Sequence, residues 1–291
     1  MINLLSTSEI IKKYQLNADK KLGQNFILDK NFTDKIARSS GDLSGKNILE
    51  IGPGPGSLSR SILDLKPQKL TAIEMDSRCV LALDELKKFY GENFEIIHDD
   101  ALKIDERKIY TTPFKIIANL PYNIATILIF KWLKILPQIE SMHLMVQKEV
   151  GQRITAKIGD NHYGRLSMMI NLLCDTKIVF LVNKSVFVPA PKVESAVISI
   201  VPNPQKMQKY FDEIFLENFS FVVATAFNQR RKMLKSSLKN CYTKYNINEK
   251  SAENLLTKLN ISSNLRAEQI TIEQFAYITK DLMKKNFKNI V

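Results

Sequence analysis

Asn119-Leu120-Pro121-Tyr122 combines two hydrogen-bond acceptors, a stiff residue and an aromatic ring. The Asn119 side-chain oxygen and a backbone carbonyl, that of Leu120, suit the two N–H groups of an amine attached to an aromatic ring. Such a nitrogen, N6 of adenine for example, has its lone pair delocalised and is a poor nucleophile. Its protons are not acidic enough for a general base to help. Accepting both N–H groups draws the nitrogen toward tetrahedral geometry and aims its lone pair at an electrophile held alongside. Pro121 fixes its own φ. Tyr122 offers a ring face to a base, a contact worth roughly 1–3 kcal/mol. Taken alone, the tetrapeptide also reads as an Asx-type turn. This chemistry calls for no catalytic carboxylate, histidine or metal.

Glu50-Ile51-Gly52-Pro53-Gly54-Pro55-Gly56 supplies a place for a cofactor. Glycines let a backbone turn sharply and approach a ligand closely. A dinucleotide fingerprint, G-x-G-x-x-G, requires glycine at position 57. That position is Ser57, and the third glycine comes one residue early. S-adenosylmethionine has no pyrophosphate to cradle, and a leading acid such as Glu50 fits it better than a nicotinamide. Glu74, 22 positions past Gly52, stands where doubly wound folds put a carboxylate for ribose hydroxyls; otherwise it is a solvated strand end. Asp76 suits a helix N-cap. Asp99-Asp100 offers an acceptor for the cofactor's adenine amine, or is simply a turn.

The elements that position these residues alternate between strand and helix. Strands are expected at 47–51, 69–74, 94–98, 114–118, 142–146, 177–182 and 196–201. Helices are expected at 29–38, 57–65, 77–90, 124–136 and 165–173. This alternation implies a doubly wound, mostly parallel sheet, with the motifs in loops beyond its strands. Too few residues separate the last two strands for a crossover helix, so an antiparallel edge is expected. Val201-Pro202-Asn203-Pro204 marks a boundary. Beyond it, 210–227, 251–259 and 272–287 have helical periodicity. The expected division is therefore 1–202, α/β, and 203–291, all-α.

The net charge of +12 points to a polyanionic partner, with nucleic acid favoured over membrane. From Asn203 onward, 15 Lys and Arg stand against 8 Asp and Glu, so the smaller domain carries most of the excess. Cys79, Cys174 and Cys241 are odd in number and far apart, which suits neither a disulfide framework nor a zinc cluster. No apolar run approaches the roughly 20 residues of a membrane span, and the first residues lack a signal-peptide pattern. A cytoplasmic protein is expected.

With these motifs in place, the chain resembles the small-subunit (16S) rRNA adenine N6,N6-dimethyltransferases of the KsgA/RsmA type. These are themselves similar to the erythromycin-resistance rRNA methyltransferases. The match spans roughly Lys20 to Ile278. It adds Leu22-Gly23-Gln24-Asn25-Phe26-Ile27, Gln147-Lys148-Glu149-Val150, Tyr163-Gly164-Arg165-Leu166-Ser167, Val188-Pro189-Ala190-Pro191-Lys192-Val193, Phe227-Asn228-Gln229-Arg230-Arg231-Lys232 and Arg266-Ala267-Glu268. Ile27, Ser59 and Ala125 depart from the residues usual at those positions.

The resemblance implies a Rossmann-like class I methyltransferase domain followed by a helical rRNA-binding domain. It implies S-adenosyl-L-methionine as cofactor, with contacts at Asn25, Ile27, Gly52, Glu74, Asp100 and Asn119, and Gly54 belongs with them. Asp100 is favoured over Asp99 on this ground alone. Phe187, which otherwise reads as a core aromatic, is implied to sandwich the target base with Tyr122. The implied reaction dimethylates two adjacent adenosines in a hairpin near the 3′ end of 16S rRNA, within the pre-30S ribosomal subunit. Arg230, Arg231 and Lys232 become candidate phosphate contacts, where a solvated charge run is the plain reading. Nothing demands a dimer, so a monomer is expected. Rival readings are a large-subunit rRNA methyltransferase of the macrolide-resistance type and a non-catalytic ribosome assembly factor. The 187–192 and 266–268 motifs argue against the first, and the intact tetrapeptide against the second.

Overall fold

The computed structural model describes residues 4–18 and 24–288. Lys20, where the family resemblance begins, and Leu22 and Gly23, which open the Leu22–Ile27 motif, lie outside the described residues. The chain divides into two units, Met1–Gly151 with Thr176–Pro202, and Gln152–Asp175 with Asn203–Val291.

The elements in chain order are α1 (Thr7–Lys13), β1 (Phe26–Ile27), α2 (Lys30–Ser39), β2 (Asn47–Ile51), α3 (Ser57–Leu63), β3 (Lys69–Glu74), α4 (Ser77–Tyr90), β4 (Phe94–His98), β5 (Phe114–Asn119), α5 (Ala125–Trp132), β6 (Ile139–Gln147), α6 (Lys148–Thr155), α7 (Arg165–Asn171), β7 (Cys174–Val182), β8 (Phe187–Val188) and β9 (Ser195–Pro202). After these come α8 (Pro204–Tyr210), α9 (Glu213–Phe227), α10 (Leu234–Ser237), α11 (Lys239–Lys244), α12 (Glu249–Lys258) and α13 (Ile272–Lys288).

In the first unit, one sheet has the strand order β4-β3-β2-β5-β6-β9-β7. β2 pairs in parallel with β3 and β5, β3 with β4, and β5 with β6. β9 runs antiparallel to β6, with Met142 opposite Ile200 and Gln147 opposite Ser195. The expected antiparallel edge thus enters one strand further in, and β7 lies outside it. The inner strands read as apolar runs because both faces are covered: Ile48, Leu49 and Ile51 are buried in β2, and Leu70, Ala72 and Ile73 in β3. Chain order reverses between β2 and β5, which leaves a crevice beyond their carboxyl ends.

α2 and α4 begin where Asp29 and Asp76 accept backbone N–H groups of Asn31 and Arg78. The expected helix at 124–136 is α helix only to Trp132, because Pro137 removes a backbone donor; the rest winds as a tighter 3-10 turn. A second sheet of two short strands pairs β1 antiparallel with β8, Phe26 opposite Val188 and Ile27 opposite Phe187. Neither strand was expected, since two residues carry no periodicity.

In the second unit, α9 is the central helix, and α7, α10, α11 and α13 pack on it. Phe219, Val222, Val223 and Ala226 are its buried face. Of the helical run expected over 210–227, Glu213–Phe227 is α9, while Tyr210 closes α8, a helix that was not expected. Asp212 breaks the run by accepting the N–H of Phe215, which caps α9. Among the described residues, no helix is long and apolar enough to cross a membrane. All three cysteines are buried free thiols.

Of the three chain crossings between the units, only 202/203 coincides with the expected boundary. The others, at 151/152 and 175/176, fall inside α6 and β7. Gly151 and Asp175 stand at these two crossings, but a lone glycine or aspartate inside a continuous element does not distinguish a crossing.

Candidate active site

A cleft of about 210 Å³ opens beyond the carboxyl ends of β2, β3, β4 and β5. Its walls include Asn25, Ile27, Gly52, Gly54, Glu74, Asp100 and the whole Asn119–Tyr122 tetrapeptide. Residues separated by nearly 100 positions therefore meet in one crevice.

The Gly-rich turn and the tetrapeptide loop face each other. Gly52 has a φ of +65°, and a Cβ there would lie 3.6 Å from Cδ of Pro121. Its conformation favours glycine, while the contact alone would tolerate a methyl group. Gly56 has a φ of +83°, and a Cβ there would come within 2.9 Å of Leu83 and Leu86 on α4. That glycine lets the turn before α3 lie close against α4.

Glu74 is 6% exposed and knits the cleft floor. One carboxylate oxygen accepts the N–H of Gly54 at 2.9 Å; the other accepts those of Met75 and Asp76, each at 2.8 Å. Burial pushes its carboxyl above the usual range, and the three amides oppose that shift. A carboxylate has about four acceptor positions, so the oxygen facing Gly54 keeps room for one hydroxyl donor. Asp76 accepts from Gln24 at 3.0 Å and pairs with Arg78 at 2.6 Å, which holds its carboxyl down at about 2. It acts as the expected N-cap.

Glu50 is 1% exposed, and Ser59 donates to it at 2.6 Å. Burial, with the nearby Glu74 charge, raises its carboxyl to about 8, so it is mostly protonated at pH 7. Asp100 uses one oxygen to accept the N–H of Leu102 at 2.9 Å. The exposed Asp99 accepts the N–H of Asp100 at 2.7 Å.

The tetrapeptide hangs from β6. Asn119 lies opposite Met145, and Leu120 N–H donates to the Met145 carbonyl at 3.1 Å. The Pro121 carbonyl is taken by Ile124 and Ala125 N–H groups. Asn119 Nδ2 donates to the Asn25 carbonyl at 3.4 Å, which orients its Oδ1 as an acceptor. The Tyr122 hydroxyl is hydrogen-bonded to Ser195 Oγ at 2.6 Å. Ser195 was not among the expected site residues, and a serine opening an apolar strand gives no sequence signal. Phe187 is not on the cleft lining. It is 3% exposed and sits in the core cluster with Phe26 and Ile27.

The basic candidates belong to the second unit. Arg230 pairs with Glu268 at 2.7 Å and donates to the Asn161 carbonyl at 2.8 Å. Tyr163 stacks edge-on against Phe227 and donates to the Ile270 carbonyl. The 163–167, 227–232 and 266–268 motifs therefore meet as one structural junction. Arg231 and Lys232 are exposed in the turn after α9.

A doubly wound sheet with an antiparallel edge, and a crevice between a Gly-rich turn and an Asn-Leu-Pro-Tyr loop, define a class I methyltransferase. That class in general uses S-adenosylmethionine as methyl donor. The model of the family "Ribosomal RNA adenine dimethylase" matches residues 15–284, and the chain belongs to that family. Ribosomal RNA small subunit methyltransferase A of Bartonella henselae is 45% identical over 92% of this chain and 94% of its own. The protein of the same name from Zymomonas mobilis is 46% identical over 79% of this chain and 82% of its own. Among solved structures, a dimethyladenosine transferase from Plasmodium falciparum superposes with a TM-score of 0.76 at 26% identity, over 89% of this chain and 98% of the other.

Proposed function

We propose that this chain transfers methyl groups to N6 of two adjacent adenosines in a hairpin near the 3′ end of 16S rRNA, giving N6,N6-dimethyladenosines. It acts as a cytoplasmic monomer on the pre-30S particle during small-subunit biogenesis. The observation that carries this reading is the meeting of Glu74, Asp100 and the Asn119–Tyr122 loop in one crevice of a ribosomal RNA adenine dimethylase. Relatives named for the small subunit, aligned over most of the chain, support the choice of ribosomal particle.

The cleft suits S-adenosyl-L-methionine. Glu74 retains an acceptor position for a ribose hydroxyl, Asp100 has a second carboxylate oxygen for an adenine amine, and Asn25, Ile27, Gly52 and Gly54 form its walls. When bound, that cofactor supplies an electrophilic sulfonium methyl. The protein's part is positioning. Asn119 Oδ1 and the Leu120 carbonyl accept the two N–H groups of the target adenine and turn its N6 lone pair into the cleft. The Tyr122 ring stacks on the base, which must first leave its own stack. Phe187 supplies the second face once its ring turns out of the core.

The test is methyl transfer from labelled S-adenosylmethionine to purified, unmethylated small subunits, with large subunits and duplex DNA in parallel and digestion to nucleosides. N6,N6-dimethyladenosine from small subunits alone is the expected result. Signal from large subunits alone moves the protein to the resistance-type reaction. No transfer to any substrate, with cofactor bound, overturns the catalytic reading in favour of an assembly factor.

A further inference from the structure

We infer that Ser195 is a positioning residue that sets the plane of the Tyr122 ring for the target base; this rests on the reading of Tyr122 as the stacking face. Ser195 is fully buried, and its Oγ lies 2.6 Å from the Tyr122 hydroxyl. A tyrosine ring hangs from two torsions, one of them a broad sp³–sp² torsion. Anchoring the hydroxyl fixes the long axis of the ring. Because a phenolic hydrogen prefers the ring plane, the direction of the partner also biases rotation about that axis.

The anchor is itself rigidly held. Ser195 is the first residue of β9 and lies opposite Gln147, the last residue of β6. Lys148 N–H donates to the Glu194 carbonyl at 2.9 Å, and the two side chains pair at 2.8 Å. β6 also holds the front of the tetrapeptide, through the Met145 carbonyl and Leu120 N–H. Both ends of the loop are therefore fastened to the same antiparallel ribbon. The two acceptors for the amine and the ring under the base are kept at one separation and one angle. That is the kind of preorganisation on which a reaction without acid, base or metal depends.

The experiment measures kcat and KM for unmethylated small subunits, cofactor affinity, and Tm for Ser195→Ala, Tyr122→Phe and the double variant. Tyr122→Ala is added as a control on the stacking reading. A neutral hydrogen bond that matters only for ring orientation is expected to cost roughly 3- to 10-fold in kcat. KM and cofactor affinity should be unchanged. The double variant should lose no more than either single one, because both remove the same bond. A lowered Tm with wild-type kcat, or losses that multiply in the double variant, overturns the assignment. Tyr122→Phe keeps the ring and leaves β9 untouched, so the test survives poor folding of Ser195→Ala. If Tyr122→Ala abolishes transfer while Tyr122→Phe and Ser195→Ala are fully active, stacking stands and the role of Ser195 falls. Wild-type kcat in Tyr122→Ala removes the stacking reading itself.

Discussion

At the scale of single residues, the cleft separates groups that act on a ligand from groups that hold the walls. Asn119 makes one long side-chain hydrogen bond, to the Asn25 carbonyl, so little structure depends on it. Asn119→Ala is expected to abolish methyl transfer by more than 100-fold, the order seen when a positioned polar group is removed from an active site, with Tm unchanged. Cofactor affinity and a melting curve measured together check this. Glu74→Ala is expected to weaken cofactor binding and also lower Tm, because three backbone amides, those of Gly54 and Asp76 buried, lose their acceptor. Glu50 makes a prediction in pH. Its folded value of about 8 lies above the ordinary 4.5, so between those values the folded protein holds a proton that the unfolded chain releases. Stability therefore falls as pH rises through that window. Glu50→Gln removes this dependence and should raise Tm at pH 8 but not at pH 4.5, by ~2–4 °C for each kcal/mol recovered. Thermal melts across that range decide it. The places of Glu74, Asp76 and the tetrapeptide were legible because each lies at or just past the end of an apolar run that the sequence marks as a strand. Ser195 was not, because its contribution is a direction in space rather than a chemistry.

At the scale of elements, the two turn glycines should behave differently. Gly52→Ala forces a left-handed residue beside the cleft, costing about 1–2 kcal/mol, with no clash against Pro121. Gly56→Ala carries the same backbone cost and also drives a methyl group into Leu83 and Leu86, adding about 1–3 kcal/mol of overpacking. Urea denaturation should rank Gly56→Ala as the less stable variant, and cofactor affinity should rank Gly52→Ala as the more impaired. β2 and β3 could be read to the residue, since inner parallel strands covered on both faces are largely apolar stretches between turns; β4, at the sheet edge, was read from its short β-branched run between polar turns. The start of α9 was placed three residues early because Asp212 sits inside a run of helical periodicity and its capping role depends on the bond to Phe215. β1 and β8 were missed because two-residue strands exist only through their pairing.

At the scale of the whole molecule, the excess positive charge was legible, but the use of each cation was not. Arg230 is engaged by Glu268 and the Asn161 carbonyl, while Arg231 and Lys232 stand exposed. Replacing Arg231 and Lys232 together is expected to flatten the salt dependence of RNA binding by about 0.7–0.9 in log–log slope for each phosphate no longer neutralised. Arg230→Ala should instead cost up to about 1 kcal/mol of stability, as a partly exposed ion pair does. Filter binding across a salt series separates the two.

The three crossings between the units also decide how this protein can be taken apart. α7 belongs with the helices that follow residue 203 and packs on α9, yet it is encoded before β7 and β9. A fragment ending at residue 202 would keep α7, which carries buried apolar residues such as Leu166 and Met169, but lose α9, the helix it packs on. Such a fragment should self-associate, which size-exclusion chromatography would reveal. A gene cut at the proline-rich boundary divides the sequence cleanly and the folding units badly; independent halves would require excising 152–175 and rejoining the strands around it.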